Sequence, residues 1–122
     1  MARHILVVED QADIGELFVN FLETIGYRVS LAHDGQAALE VDARDPADLV
    51  VTDYSMPNMN GDVLATRLHE RRPELPVIMI SGYAFNAAPT GAHVHLMTKP
   101  VGLMKLAEQI ALLLGGALSS NG

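Results

Sequence analysis

Short runs of β-branched and aliphatic residues alternate along this chain with segments whose apolar residues recur every three or four positions. Few folds tolerate that order, because it pairs strands covered on both faces with helices that return the chain to the same sheet edge. The first run is Ile5-Leu6-Val7-Val8, and Ile14, Leu17, Phe18, Phe21, Leu22 and Ile25 then give one helical stripe closed by Gly26. A second strand is predicted over Arg28 to Ala32, and a helix from Gln36 to Ala43 with Asp34 and Gly35 at its entry. Leu49-Val50-Val51 predicts strand three, and Val63, Leu64, Arg67 and Leu68 predict a helix that stops at Arg72-Pro73. Val77 to Ile80 and Val94 to Met97 complete five strands. Leu103, Leu106, Ala107, Ile110, Leu113 and Leu114 form the inner stripe of a last helix ended by Gly115-Gly116.

Five strands joined by right-handed crossovers predict an α/β, three-layer, doubly wound parallel sheet of flavodoxin-like type with strand order 2-1-3-4-5. Gly82, Pro89 and Gly91 interrupt the stretch where the alternation asks for helix four, so that helix is expected to be short or irregular. The folded domain is expected over residues 1–116 and a flexible polar tail over residues 117–122.

A chain of 122 residues accommodates one such domain, so its function must fit on a single unit. The balance of 15 acidic against 8 basic side chains argues against sequence-independent binding to nucleic acid or to an anionic membrane. The absence of cysteine excludes disulfides, thiolate zinc sites and thiol catalysis. The four apolar residues Ile5–Val8 are too few for a signal peptide or a membrane span, and a cytoplasmic protein is expected. The five histidines have no ligand spacing that draws in the acidic residues; His93 and His95 read as surface, and Met56 and Met59 as loop packing.

In a doubly wound sheet the site lies beyond the carboxyl ends of the strands. Reading those ends in turn returns Glu9-Asp10, Asp53, Ser81 and Lys99. Three carboxylates brought together require a compensating cation, and a few oxygen ligands with room for water and phosphate suit Mg²⁺ better than zinc or an all-protein calcium cage. An aspartate carboxylate such as Asp53 can attack a phosphoryl group to give an aspartyl phosphate. Lys99 is suited to neutralise phosphoryl charge, and the Ser81 hydroxyl to donate a hydrogen bond to a phosphoryl oxygen.

The string Asp53-Tyr54-Ser55-Met56-Pro57-Asn58-Met59-Asn60-Gly61, with Val7-Val8-Glu9-Asp10 before it and Lys99-Pro100 after it, strongly resembles the receiver domain of two-component response regulators. The resemblance runs through essentially the whole chain. It implies that Asp53 is the phosphoacceptor, that Asp10 ligates Mg²⁺ with Glu9 beside it, and that the Ser55 backbone carbonyl completes the protein ligands. It further implies that Ser81 is the switch hydroxyl, that Lys99 contacts the phosphoryl group, and that the Lys99–Pro100 peptide is cis. The donor would be a histidine kinase or a histidine phosphotransfer protein. The output would be an unknown partner, or self-association, at the face running from strand four to the last helix.

Two departures bear on the switch. Leu96 stands where the family usually has an aromatic three residues before the lysine, and the stretch from Ser81 to Lys99 is shorter than usual. Tyr83, two residues after Ser81, is a candidate replacement for that aromatic. A receiver that serves as a phosphate sink, or one excised from a hybrid histidine kinase, is the alternative. Phosphatases of the haloacid dehalogenase kind also combine an Asp nucleophile, a lysine and Mg²⁺, but want a second Asp where this chain has Ser55, so no turnover of external substrates is expected. A flavodoxin would want a phosphate loop where Glu9 and Asp10 stand. Met104, Ala111 and Leu112 give the last helix a second apolar face, expected to meet a partner.

Overall fold

The computed structural model describes residues 2–82 and 93–115. The expectations for helix four, for Tyr83 and for a tail over residues 117–122 lie outside the described residues.

Strands β1 (His4–Val8), β2 (Arg28–Ala32), β3 (Leu49–Asp53), β4 (Val77–Ser81) and β5 (Val94–Thr98) alternate with helices α1 (Ala12–Thr24), α2 (Gly35–Arg44) and α3 (Gly61–Arg71). Helix α4 (Leu103–Leu113) follows β5. All pairings are parallel and the sheet order is β2-β1-β3-β4-β5, as the sequence pattern predicts. The predicted and observed elements agree to within two or three residues at their ends.

Strands β1, β3 and β4 are buried at every position, which is why they read as unbroken apolar runs. Their side chains alternate between two cores. Leu6, Val8, Val50, Val77 and Met79 pack with Leu64 and Leu68 of α3 on one face. Ile5, Val7, Leu49, Val51, Ile78 and Ile80 pack with Phe18 and Leu22 of α1 and with Leu106 and Ile110 of α4 on the other. At the amino ends of the strands, Asp42 is buried, accepts from the Ala47 N–H at 2.9 Å and pairs with Arg72. His4 is also buried there, its ring between Ser30 Oγ at 2.7 Å and the Pro46 carbonyl at 3.1 Å.

Three apolar residues of the predicted stripes sit outside the core: Leu17 is 54% exposed, Ile25 47% and Val63 42%. A helix on a sheet buries a narrower arc than periodicity alone suggests. On α4, Met104 and Leu112 are exposed as expected, but Ala111 is buried and does not belong to that outer face. Neighbouring parts of the fold cover it, which periodicity along the helix does not reveal. Among the described residues no helix is long and apolar enough to cross a membrane.

Candidate functional site

The site is built from the carboxyl ends of β1, β3, β4 and β5. The Glu9 N–H donates to the Ala32 carbonyl at 2.9 Å, so the turn after β1 remains tied to β2. Glu9 is buried and Asp10 exposed, while Asp53, the last residue of β3, is buried. Oxygens of these three carboxylates all lie within 4.8 Å of one another. Lys99 Nζ stands 3.4 Å from Asp53 Oδ1. Ser81 ends β4 and is buried, and its backbone carbonyl accepts the Lys99 N–H at 2.8 Å. The Lys99–Pro100 peptide is cis, as the resemblance implies.

Glu9 records the strain of gathering these charges. Burial pushes its carboxyl up from an ordinary 4.5 to about 7, and the neighbouring Asp53 adds to the rise through a hydrogen bond and through repulsion. The Gln11 N–H, donating to Glu9 Oε2 at 3.1 Å, and the Lys99 charge act in the opposite direction. A protonated Glu9 relieves the cluster at low pH, whereas a divalent cation would relieve it with all three groups ionised. The donors are all oxygen and are few, which fits a hard cation that keeps part of its water, such as Mg²⁺.

The loop after β3 is held from both ends. The Tyr54 N–H donates to the Ile80 carbonyl at 2.8 Å and the Gly61 N–H to the Tyr54 carbonyl at 2.6 Å. Asn58 has φ 71° and Met59 N–H donates to the Pro57 carbonyl at 2.8 Å, a tight turn for which asparagine is suited. Met56 is buried and Met59 packs on the core, as loop packing requires. Ser55 is exposed in this loop, two residues after Asp53. Leu96 faces Met79 in the β4–β5 register and is 36% exposed.

Two glycines contribute in ways the sequence pattern does not reveal. A Cβ at Gly61 would come within 3.0 Å of the Asp53 backbone oxygen, so α3 can start this close to the phosphoacceptor candidate only without a side chain. Gly15 lets α1 lie against Leu31 and the Cβ of Glu9. Gly61 falls within the diagnostic string, but no motif marks Gly15. No motif marks His33 either, and its Nδ1 lies 3.3 Å from the Glu9 carbonyl oxygen.

Comparison with known proteins agrees with this geometry. The response regulator receiver protein CpdR of Brucella abortus is 36% identical over 118 residues, covering 92% of this chain and 97% of that protein. The sensor kinase CckA of the same organism is 34% identical over 112 residues, which cover 87% of this chain but 12% of the kinase. The chain likewise spans only 25% of the response regulator PilR of Pseudomonas aeruginosa, at 36% identity. Among solved structures, a CheY-like receiver domain protein from Methanospirillum hungatei superposes with a TM-score of 0.87 at 29% identity, covering 95% of this chain and 96% of that one. The receiver domain of the hybrid histidine kinase CckA superposes with a TM-score of 0.80 at 30% identity, covering 91% and 98%. Residues 5–111 match the family model of the response regulator receiver domain, and the chain belongs to that family of two-component signalling domains.

Proposed function

We propose that Asp53 accepts a phosphoryl group from the phosphohistidine of a histidine kinase or phosphotransfer protein, and that the modification switches a protein-binding surface. The observation that carries this reading is the convergence of Glu9, Asp10 and Asp53, with Lys99 Nζ 3.4 Å from Asp53. An Asp53 oxygen attacks phosphorus while the bond to the donor nitrogen breaks. Lys99 neutralises charge on the phosphoryl oxygens, and the Ser81 hydroxyl donates to one of them. Asp10, Asp53 and the Ser55 carbonyl would hold Mg²⁺, with Glu9 beside it. When bound, Mg²⁺ supplies further positive charge to the transferring group.

Signal output then depends on the link between Ser81 and the surface from β4 to α4. Met104 and Leu112 give that surface exposed apolar groups for a partner. A phosphate sink is the second reading, favoured by Leu96 in the place of an aromatic. One sample separates the two. Incubation with acetyl phosphate and Mg²⁺ is expected to add one phosphoryl group by intact mass, absent in Asp53→Asn, and no adduct would refute the phosphoacceptor role. Backbone NMR shifts that reach α4 on phosphorylation support a switch, and shifts confined to the strand ends support a sink.

A further inference from the structure

Beside the acidic cluster lies a cavity of about 480 Å³ whose walls are of two kinds. Glu9, Asp53 and Lys99 supply charge, whereas Ile14 and Phe18 of α1, Ile80 of β4 and Val101 of the β5–α4 connection supply an apolar surface. Of the side chains lining this cavity, cation coordination and phosphoryl neutralisation use only the charged ones. The apolar wall has no part in either, although it shares the cavity with the attacking carboxylate. Ile14 and Val101 pack against the edge of the core but are only half-buried, so part of each side chain remains available for contact. A volume of this size lies within the ~300–1,000 Å³ that small-molecule sites span.

We propose that this wall receives the leaving group of a small acyl phosphate, and that Ile14 and Val101 are specificity-determining residues favouring an acyl chain of several carbons over acetyl. The proposal rests on the phosphoacceptor reading of Asp53. Complementarity is at both ends of the ligand: its phosphoryl group meets Lys99 and the acidic cluster with its cation, and its hydrocarbon meets Ile14, Phe18 and Val101. In the reaction an Asp53 carboxylate oxygen forms a bond to phosphorus, and the bond from phosphorus to the acyl oxygen breaks. The leaving group departs as the free carboxylate with the electron pair, and no proton is consumed. Each methylene held against an apolar wall discriminates by about tenfold or more in a closed site. Here the wall is half-exposed, and about tenfold is expected for two methylenes together.

The test compares phosphorylation of the full chain by acetyl phosphate and by butyryl phosphate at equal Mg²⁺, followed by intact mass. Acetate and butyrate are leaving groups of nearly equal basicity, so a rate difference reports binding rather than intrinsic reactivity. The expected result is a second-order rate constant of phosphorylation about tenfold higher for butyryl phosphate, carried mostly by half-saturation at a lower donor concentration. Ile14→Asn and Val101→Asn, made separately so that a folding defect in one leaves the other informative, are each expected to reduce that ratio at least threefold. Equal rates with the two donors, or a preference that survives both substitutions, would overturn the proposal while leaving the phosphoacceptor reading intact. No adduct from either donor, in a protein shown to be folded, would overturn both.

Discussion

Glu9→Gln is a substitution whose effect on stability changes with pH in a direction fixed by the structure. The folded carboxyl is pushed to about 7, by burial first and Asp53 second, whereas in the unfolded chain it titrates near 4.5. Between those values the native protein holds a proton that the unfolded chain has released. Stability therefore falls as pH rises through this window. Below pH 4.5 the carboxyl carries no penalty, and above pH 7 it carries the whole of it. At ~1.4 kcal/mol per pH unit the gap amounts to at most roughly 3.5 kcal/mol, with about 2 expected once relaxation is allowed for. Glutamine keeps the shape, can still accept from the Gln11 N–H, and does not ionise. In metal-free buffer Glu9→Gln should match wild type near pH 4.5 and exceed its stability by about 2 kcal/mol at pH 8. Urea unfolding followed by circular dichroism at intervals from pH 4.5 to 8, with chelator present, measures this directly. Mg²⁺ should then narrow the gap, since a ligand bound only by the native state at a hundredfold its Kd adds ~2.7 kcal/mol and the variant has lost one acidic neighbour of that site. Parallel stability curves for the two proteins across the whole window would refute the assignment of the buried charge to Glu9.

Gly61→Ala should cost about 3 kcal/mol in urea unfolding, the upper end for forcing a methyl into a packed site, because the obstacle is the Asp53 backbone rather than a movable side chain. Gly15→Ala meets the end of the Leu31 side chain instead, and the gain in helix propensity, about 0.8 kcal/mol, should leave it within 1 kcal/mol of wild type. Asp42→Ala strands the Ala47 N–H and removes the charged partner of Arg72, which keeps only its bond to the Ala47 carbonyl, for an expected loss of about 3 kcal/mol, whereas Asp42→Asn keeps an acceptor and should lose about 1. Both Asp42 variants should phosphorylate at the wild-type rate, since the residue sits at the opposite end of the sheet from Asp53.

The parts of this fold that were legible in the sequence are those where one periodicity dominates. Ile5–Val8 and Val77–Ile80 announce central strands because an unbroken apolar run suits a strand covered on both sides. The grouping was legible for a related reason: topology gathers strand ends, so Glu9, Asp10, Asp53, Ser81 and Lys99 could be brought together by reading the ends of strands one, three, four and five. Legibility failed where burial depends on a neighbour rather than on periodicity. Leu17 fits the stripe of α1 and lies outside the core; Ala111 fits an outer face of α4 and is covered. Asp42 and His4 carry no hydrophobic signal, yet both are buried because long-range partners satisfy them. The apolar cavity beside Asp53 was invisible for the same reason, since Ile14 and Val101 meet only in three dimensions.

The single ladder bond between the Ser81 carbonyl and the Lys99 N–H separates the geometry of the site from the length of chain between its members. Hydroxyl and ammonium are placed by Ser81 at the end of β4 and by Lys99 directly after β5, whatever path the polypeptide takes from Gly82 to His93. Residues can be lost or gained in that excursion over evolutionary time without retuning the chemistry at Asp53. Receivers that share one reaction can thereby differ in the length and sequence of the chain that joins these two strands.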